Sequence, residues 1–188
     1  KFTKYVSDNN ATTTKDGTKT ARCDNGCGTK NTVVDKGSKK TNPSQSPKIK
    51  IGQKLQNSVG VRCAITGKNT AECIGYVGKK NSVTIPPSLK YMGVTYQITS
   101  IKTKAFSGNK NLRSIVIPSS IRTIGSQAFF KCKNLKKITI KTPYLSKKTV
   151  GAKAFKGIHA KAKIKVPKKQ KKAYQKLLKA KGAGKKVT

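Results

Sequence analysis

The sequence of 188 residues has few acidic side chains and no tryptophan. It contains 5 Asp and Glu residues against 43 Lys and Arg residues, which gives a formal net charge of +38 at pH 7. The last acid is Glu72, so the rest of the chain has no carboxylate side chain. Such an imbalance opposes compaction and predicts counterions or an anionic partner. A solvated lysine coat without a partner is the open alternative.

Residues suited to catalysis are equally scarce. His159 is the only histidine and has no acidic residue near it in sequence. General acid–base catalysis by paired carboxylates is not possible after Glu72, because no acidic residue follows it. No nucleophile motif, phosphate-binding glycine loop or metal-binding helix motif is present. The sequence therefore predicts a protein that is not an enzyme, with no catalytic residue, no cofactor and no resident metal.

Arginine and long apolar runs are also lacking. Lysine dominates the basic residues, whereas arginine supplies the planar fork that reads base edges, so we expect no specific nucleic-acid partner. No run approaches the roughly 20 apolar residues that span a bilayer, so no transmembrane segment is expected. Because the chain begins at Lys1 rather than Met, we expect it to be a piece of a longer protein. Its oligomeric state is not predicted.

A repeated motif organises the second half of the chain. "AFSGNKNLRSIVIP" at 105–118 recurs 23 residues later as "AFFKCKNLKKITI" at 128–140, and a looser copy, "AFKGIHAKAKIKVP", occupies 154–167. Periods in the twenties are typical of stacked solenoids, because one coil cannot bury its apolar face and neighbouring coils cover each other. We therefore expect Phe106, Phe129 and Phe155 to lie on equivalent rungs.

The repeat "IRTIGSQAFFKCKNLKKITI" resembles the BspA-like leucine-rich repeat of bacterial surface proteins, of the type found in Lachnospiraceae and other Clostridia. The resemblance covers residues 83–167 and implies an α+β solenoid with a β-hairpin cap at 49–100 and a closing helix and tail at 167–188. It places Asn109 and Cys132 in a buried turn, where Ile158 departs from the pattern. It further implies an extracellular or cell-surface location.

Local signals predict the elements around the repeats. Two hairpins are expected, turning at Gly67-Lys68-Asn69 and near Met92-Gly93. In the closing helix, Pro167 suits the first helical position and Gly182 suits the C-terminal stop. The helix should bury one apolar stripe, which consists of Tyr174, Leu177 and Leu178.

The N-terminal part reads as a separate unit. Residues 1–40 are expected to form a small Cys-containing β-rich module, and the Ser- and Pro-containing residues 41–48 a linker. The stretch "ATTTKDGTKTARCDNGCG" resembles a module repeated in surface proteins of gut clostridia, which carries a further Cys where Thr13 stands. Structural zinc needs four Cys or His ligands. Cys23 and Cys27 are therefore half of a zinc site, a degenerate metal site, a local disulfide or free thiols.

Three further cysteines lie after residue 48. Cys63 and Cys73 occupy the two arms of the first predicted hairpin, where a three-residue turn would set them opposite each other. They are either a cross-strand disulfide or two small apolar residues. Cys132 is expected to pack in the core.

The outward positions of the repeat strands predict a basic face. In register, Arg113 stacks above Lys136, Ser114 above Lys137 and Lys163, and Val116 above Thr139 and Lys165. Candidate partners are a host or bacterial surface protein or an anionic glycan, with attachment to an anionic cell-wall polymer as the alternative. The candidate ligand face consists of Arg113, Lys136, Lys137, Lys163 and Lys165.

Overall fold

The computed structural model describes residues 1–12, 15–25, 27–38 and 50–183. The chain divides into two compact units, Lys1–Lys48 and Ile49–Thr188. The predicted linker at 41–48, the tail after residue 183 and Thr13 lie outside the described residues.

The first unit is a small antiparallel sheet with little apolar interior. Ala11 and Ala21 are the buried apolar side chains among its described residues. The Asp8 carboxylate accepts hydrogen bonds from the hydroxyls of Thr18 at 2.6 Å and Thr20 at 2.9 Å. Backbone pairing and polar contacts therefore hold this sheet together. From one edge to the other its strands are β1 (Val6–Ser7), β2 (Gly17–Arg22) and β3 (Lys30–Asp35).

The second unit contains short strands followed by one helix. Its strands are β4 (Lys54–Gln56), β5 (Val61–Gly67), β6 (Thr70–Tyr76), β7 (Ser82–Thr84), β8 (Ser88–Tyr91), β9 (Val94–Ile101), β10 (Ser114–Ile117), β11 (Thr123–Ile124), β12 (Lys137–Ile140) and β13 (Lys163–Lys165). A 3₁₀ turn, Lys168–Gln170, leads into helix α1, Lys171–Ala180.

Two sheets enclose the core of the second unit, which confirms the α+β solenoid. The first sheet is parallel, in the order β13-β12-β10-β7. The second has the order β11-β9-β6-β5-β4, with β8 paired to β9. Strands β5 and β6 form an antiparallel hairpin, while β6 and β9 pair in parallel, so the cap hairpin continues directly into the repeat sheet. The hairpin of β8 and β9 turns at Met92-Gly93 as predicted.

Coil stacking follows the predicted period. In the parallel sheet Ile115 pairs with Val83 on one side and with Ile138 on the other, and Ile138 pairs with Ile164. All four side chains are buried. Each contributes about 1.5–3 kcal/mol by leaving water, which no single coil could achieve alone.

The three phenylalanines form one continuous stack. The ring centroids of Phe106 and Phe129 are 5.2 Å apart, and those of Phe129 and Phe155 are 5.3 Å apart. The interplanar angles are 15° and 13°, so the rings lie nearly parallel. This confirms that the phenylalanines occupy equivalent rungs. Offset stacking adds about 0.5–1.5 kcal/mol per pair to the burial of the rings.

The coils have different side chains at the buried-turn position. The Asn109 side-chain oxygen accepts hydrogen bonds from the backbone N–H groups of Asn111 and Leu112, both at 2.9 Å. In the next coil the Cys132 thiol, which is fully buried as predicted, donates to the Phe106 carbonyl at 2.8 Å. Ile158 holds the third position with apolar contacts alone, because it has no polar side-chain atom.

Tyr174 accommodates the residues inserted before the last coil. Its hydroxyl donates to the Thr142 carbonyl at 2.8 Å and accepts from the Leu145 N–H at 2.9 Å. These backbone groups would otherwise be buried without a partner. Burial of the hydroxyl raises the pKa of Tyr174 above its ordinary value.

Helix α1 covers the last coil with its apolar stripe. Tyr174, Leu177 and Leu178 are buried as predicted. Pro167, in contrast, does not begin the α-helix. Its ψ of 133° keeps it extended at the end of the strand segment, and it precedes the 3₁₀ turn instead. The α-helix begins at Lys171, directly after this turn.

The residue after the helix provides the backbone hydrogen bond that a further coil would provide. The backbone N–H groups of Phe106 and Phe129 each donate to a carbonyl of the following coil at 2.8 Å, and the Phe155 N–H donates to the Lys181 carbonyl at 3.0 Å. The Gly182 N–H bonds to Lys179 and the Ala183 N–H bonds to Leu178, so Gly182 stops the helix as predicted, in a Schellman motif.

Replacing Gly182 with alanine should destabilise this C-terminal cap. Its φ is +89°, and a Cβ there would lie 2.8 Å from the Cα of Lys156. Gly108→Ala is the matched control, because Gly108 also has a positive φ, +71°, but no atom within 4 Å of the added Cβ. We expect the control to lose about 1 kcal/mol and Gly182→Ala to lose at least about 1 kcal/mol more. Equal losses in urea unfolding would contradict the packing argument.

Replacing Lys131 with glycine should stabilise the solenoid. Lys131 has a φ of 54° at the position where the neighbouring coils have Gly108 and Gly157. Removing a side chain from this left-handed conformation should raise the free energy of unfolding by about 1 kcal/mol. Lys133→Gly serves as the control and should lower it by about 0.5–1 kcal/mol, since Lys133 is not among the residues with positive φ. Chemical denaturation of the two variants measures both signs.

Candidate binding face and cysteine pairs

The strand face is built by the register of the parallel sheet. Ser114 pairs with Lys137, and Lys137 pairs with Lys163. In the second column Thr139 pairs with Val116 and with Lys165. Neighbouring strands of a sheet are about 4.8 Å apart, so the side chains of each column project at that spacing.

Arg113 and Lys136 form a third column beside these two. The Lys136 N–H donates to the Arg113 carbonyl at 2.9 Å, and the Lys163 N–H donates to the Lys136 carbonyl at 2.8 Å. All five predicted face residues are exposed and lie on adjacent coils. The structure therefore brings Arg113, Lys136, Lys137, Lys163 and Lys165 together on one surface, which we call the strand face.

Charge on the strand face increases toward the C-terminal end. The outward residues of β7 and β10 are neutral, namely Ser82, Thr84, Ser114 and Val116, whereas β12 and β13 carry Lys137, Lys163 and Lys165. The only acid of the second unit is Glu72, and its carboxylate lies 3.4 Å from the ammonium group of Lys102. No carboxylate side chain within this unit is thus left to neutralise the strand face.

Sequence reasoning missed one exposed aromatic residue. The guanidinium carbon of Arg122 lies 4.5 Å from the ring centroid of Tyr144, whose side chain is 53% exposed. Cation–π pairs of this kind hold an aromatic ring in place at a surface. The signal in the sequence was the insertion that interrupts the 23-residue period.

The first cysteine pair lies in the N-terminal unit. Cys23 and Cys27 form a disulfide, with their Cα atoms 5.9 Å apart. Over the described ranges, no group of three or more His, Cys, Asp and Glu side chains is placed to hold a metal ion. The local-disulfide alternative is therefore the arrangement that the structure adopts.

The second pair, Cys63 and Cys73, lies opposite in register across strands β5 and β6. Both thiols are free and buried. The turn is shorter than predicted, because Gly67 pairs with Thr70 and leaves two residues between them. Hydrogen bonding from Cys73 lowers the pKa of the Cys63 thiol, whereas the same contact together with burial raises the pKa of Cys73.

Cys132 and His159 have structural contacts. Burial of the Cys132 thiol raises its pKa to about 11. The His159 side chain accepts a hydrogen bond through Nδ1 from the Lys161 N–H at 3.1 Å, which closes the turn of the last coil. In the described part of the chain, no helix combines the length and apolarity needed to cross a bilayer.

A sequence profile of the BspA type leucine-rich repeat region, in 6 copies, matches residues 81–181, which is more than half of the chain. No curated protein matches the chain significantly.

Three solved structures are similar to the chain. A leucine-rich cell surface protein from Faecalibacterium prausnitzii has 24% identity and a TM-score of 0.50, over 60% of this chain and 30% of that protein. A leucine-rich repeat protein from Bacteroides ovatus has 25% identity and a TM-score of 0.43, over 58% and 37%. The pneumococcal vaccine antigen PcpA has 16% identity and a TM-score of 0.45, over 65% and 40%.

The chain thus matches well under half the length of each of these proteins. The likeness to the F. prausnitzii protein agrees with the solenoid fold described above. Together with the profile match, the stacked phenylalanines and the in-register strands lead to one conclusion: this chain belongs to the BspA-type leucine-rich repeat family.

Proposed function

We propose that this chain is a non-enzymatic recognition module of the bacterial cell surface or of a secreted protein. It binds an anionic partner, either an anionic glycan or an acidic patch on a host or bacterial surface protein, through the strand face. The observation that carries the proposal is the clustering of five exposed cations on adjacent coils of a unit whose only acid, Glu72, contacts Lys102 instead.

The geometry suits a repeating anion. The backbone of the strand face is fixed by the parallel sheet, while each lysine head group remains mobile on its flexible stem. Two of the three columns have cations on adjacent coils, about 4.8 Å apart, and the third adds Lys165. This arrangement favours an extended chain of negative groups over a single one, because several weak contacts are made at once. Such contacts weaken with salt, since exposed charges are screened over about 8 Å at physiological ionic strength.

The surface location is proposed by similarity. The F. prausnitzii protein, which shares the solenoid fold, is described as a cell surface protein. A location outside the cell would also bring the strand face into contact with glycans and surface proteins.

A second candidate function is electrostatic attachment to an anionic cell-wall polymer, with the coils acting as a spacer. The observation that favours it is that lysines are not confined to the strand face. Helix α1 carries further exposed cations, which are Lys171, Lys172, Lys176 and Lys179.

Charge reversal on the strand face tests the first function. The triple variant Lys137→Glu, Lys163→Glu, Lys165→Glu should bind heparin, used as a model polyanion, at least about tenfold more weakly at physiological salt. We expect this loss because each exposed contact contributes roughly 0.5–1 kcal/mol to binding. Binding is measured by surface plasmon resonance, and thermal unfolding confirms that the variant folds.

The matched control reverses three exposed lysines away from the strand face, Lys104, Lys153 and Lys176, and so has the same net charge. It should lose less than about threefold in affinity if the strand face is a defined site. Equal losses in the two triple variants would contradict a defined site and favour a general coat of charge. The unmodified chain should also be screened for binding to extracellular-matrix proteins. A negative screen would exclude a protein of this kind as the partner.

Release from purified cell walls tests the second function. Electrostatic attachment predicts that the bound chain is released at about 0.5–1 M salt, where the screening length falls to a few ångströms. The two triple variants should then be released at similar, lower salt, since attachment depends on total charge. Retention of the chain in high salt would reject this mode of attachment.

A further inference from the structure

The register of strands β5 and β6 is shifted only around the cysteines. Pairing is regular at both ends of the hairpin, where Val61 faces Tyr76 and Gly67 faces Thr70. A ladder without irregularities between these ends would place Cys63 opposite Ile74. Instead, Thr66 is an extra residue on β5 and shifts the register by one position. Ile74 is an extra residue on β6 and shifts the register back.

Between the two irregularities Cys63 lies directly opposite Cys73. Bulges commonly re-aim a side chain, and here they bring two thiols face to face. Both side chains are at least 98% buried from solvent. Directly opposed residues have Cβ atoms about 4.5–5.5 Å apart, and a disulfide needs about 3.5–4.5 Å, so only a small movement joins them.

The two thiols differ in their surroundings. Cys63 lines an open groove of about 480 Å³ between β4, β5 and β8, whose apolar walls include Leu55, Leu89 and Tyr91. Cys73 is fully buried and lies opposite Ile101 of the next strand. Of the two thiols, only Cys63 therefore borders the groove.

We propose that Cys63 and Cys73 are a redox-active pair that reacts with small-molecule disulfides bound in this groove, with Cys63 as the attacking thiol and Cys73 as the resolving thiol. Lys90 lines the groove, and no carboxylate does so among the described residues. Disulfides that carry carboxylates should therefore react faster than cationic ones. The product is a covalent cross-link between the two strands of the cap hairpin.

The reaction is a pair of thiol–disulfide exchanges. The Cys63 thiolate attacks one sulfur of the small disulfide R–S–S–R, which forms a mixed disulfide and releases one thiolate RS⁻. The Cys73 thiolate then attacks the Cys63 sulfur, which forms the Cys63–Cys73 bond and releases the second RS⁻. The two protons lost by the cysteines are taken up by the two released thiolates. The cysteines are oxidised by two electrons, and the small disulfide is reduced to two thiols. The contact that lowers the pKa of Cys63 supports its role as the first nucleophile.

Peptide mapping of the full chain tests the cross-link. The reduced protein is incubated under native conditions with glutathione disulfide, alkylated and digested with trypsin. Cleavage after Lys68 separates the cysteines, so oxidation should yield linked peptides 63–68 and 69–79. Absence of these linked peptides, or their appearance only when urea unfolds the chain, would overturn the proposal.

Single variants test the order of attack in a background with Cys23→Ala and Cys27→Ala. Cys73→Ala should accumulate one glutathione adduct, on Cys63, at least about tenfold faster than Cys63→Ala accumulates any adduct. Cys132 remains in both variants as an internal control, since it is buried in the solenoid core and does not line the groove. Cystamine, a cationic disulfide, should react more slowly than glutathione disulfide. Equal adduct formation in the two single variants would refute the assignment of Cys63 as the attacking thiol, whether or not the linked peptides form.

Discussion

Stacking of one coil on the next is the constraint on which the second unit depends. A coil of about 23 residues buries its Phe, Leu and Ile side chains only when neighbours lie above and below it. The strand ladder fixes the spacing of the coils, and the phenylalanine stack fixes their rotation relative to each other. Every outward column, including the strand face, then follows from the same register, so the core determines where surface charges can lie.

The two ends of the stack must be closed by elements that are not repeats. At the start, a hairpin of β5 and β6 joins the second sheet through a parallel pairing with β9. At the other end, helix α1 covers the last coil, and Tyr174 satisfies the backbone of an inserted loop. The second closure uses side-chain hydrogen bonds of Tyr174 to the backbone of the inserted loop, which have no counterpart at the hairpin end. The irregular parts of the unit therefore lie where the repetition stops.

The sequence predicted the repeats far better than their surroundings. Identical offsets in successive copies predicted the pairing of Ile115 with Ile138 and the phenylalanine stack, because repetition reports tertiary neighbours directly. It did not predict the parallel pairing of β6 with β9 or the irregularities around Cys63, because these depend on contacts between segments with no shared pattern. The strand-face columns were predictable for the same reason as the core. The strand register determines where these side chains lie but not whether they bind a partner, so binding stays a proposal.

Nothing in the stacking of parallel coils limits the number of coils. The hydrogen bonds that join coils within one molecule could also join two molecules head to tail. The Lys181 carbonyl occupies the Phe155 N–H that an incoming coil would need, and a left-handed glycine turns the chain away immediately afterwards. The Phe155 N–H is therefore already satisfied by the chain's own C-terminal cap, which opposes head-to-tail association of two molecules at this position. Loss of this contact would leave the Phe155 N–H free to pair with a coil of a second molecule.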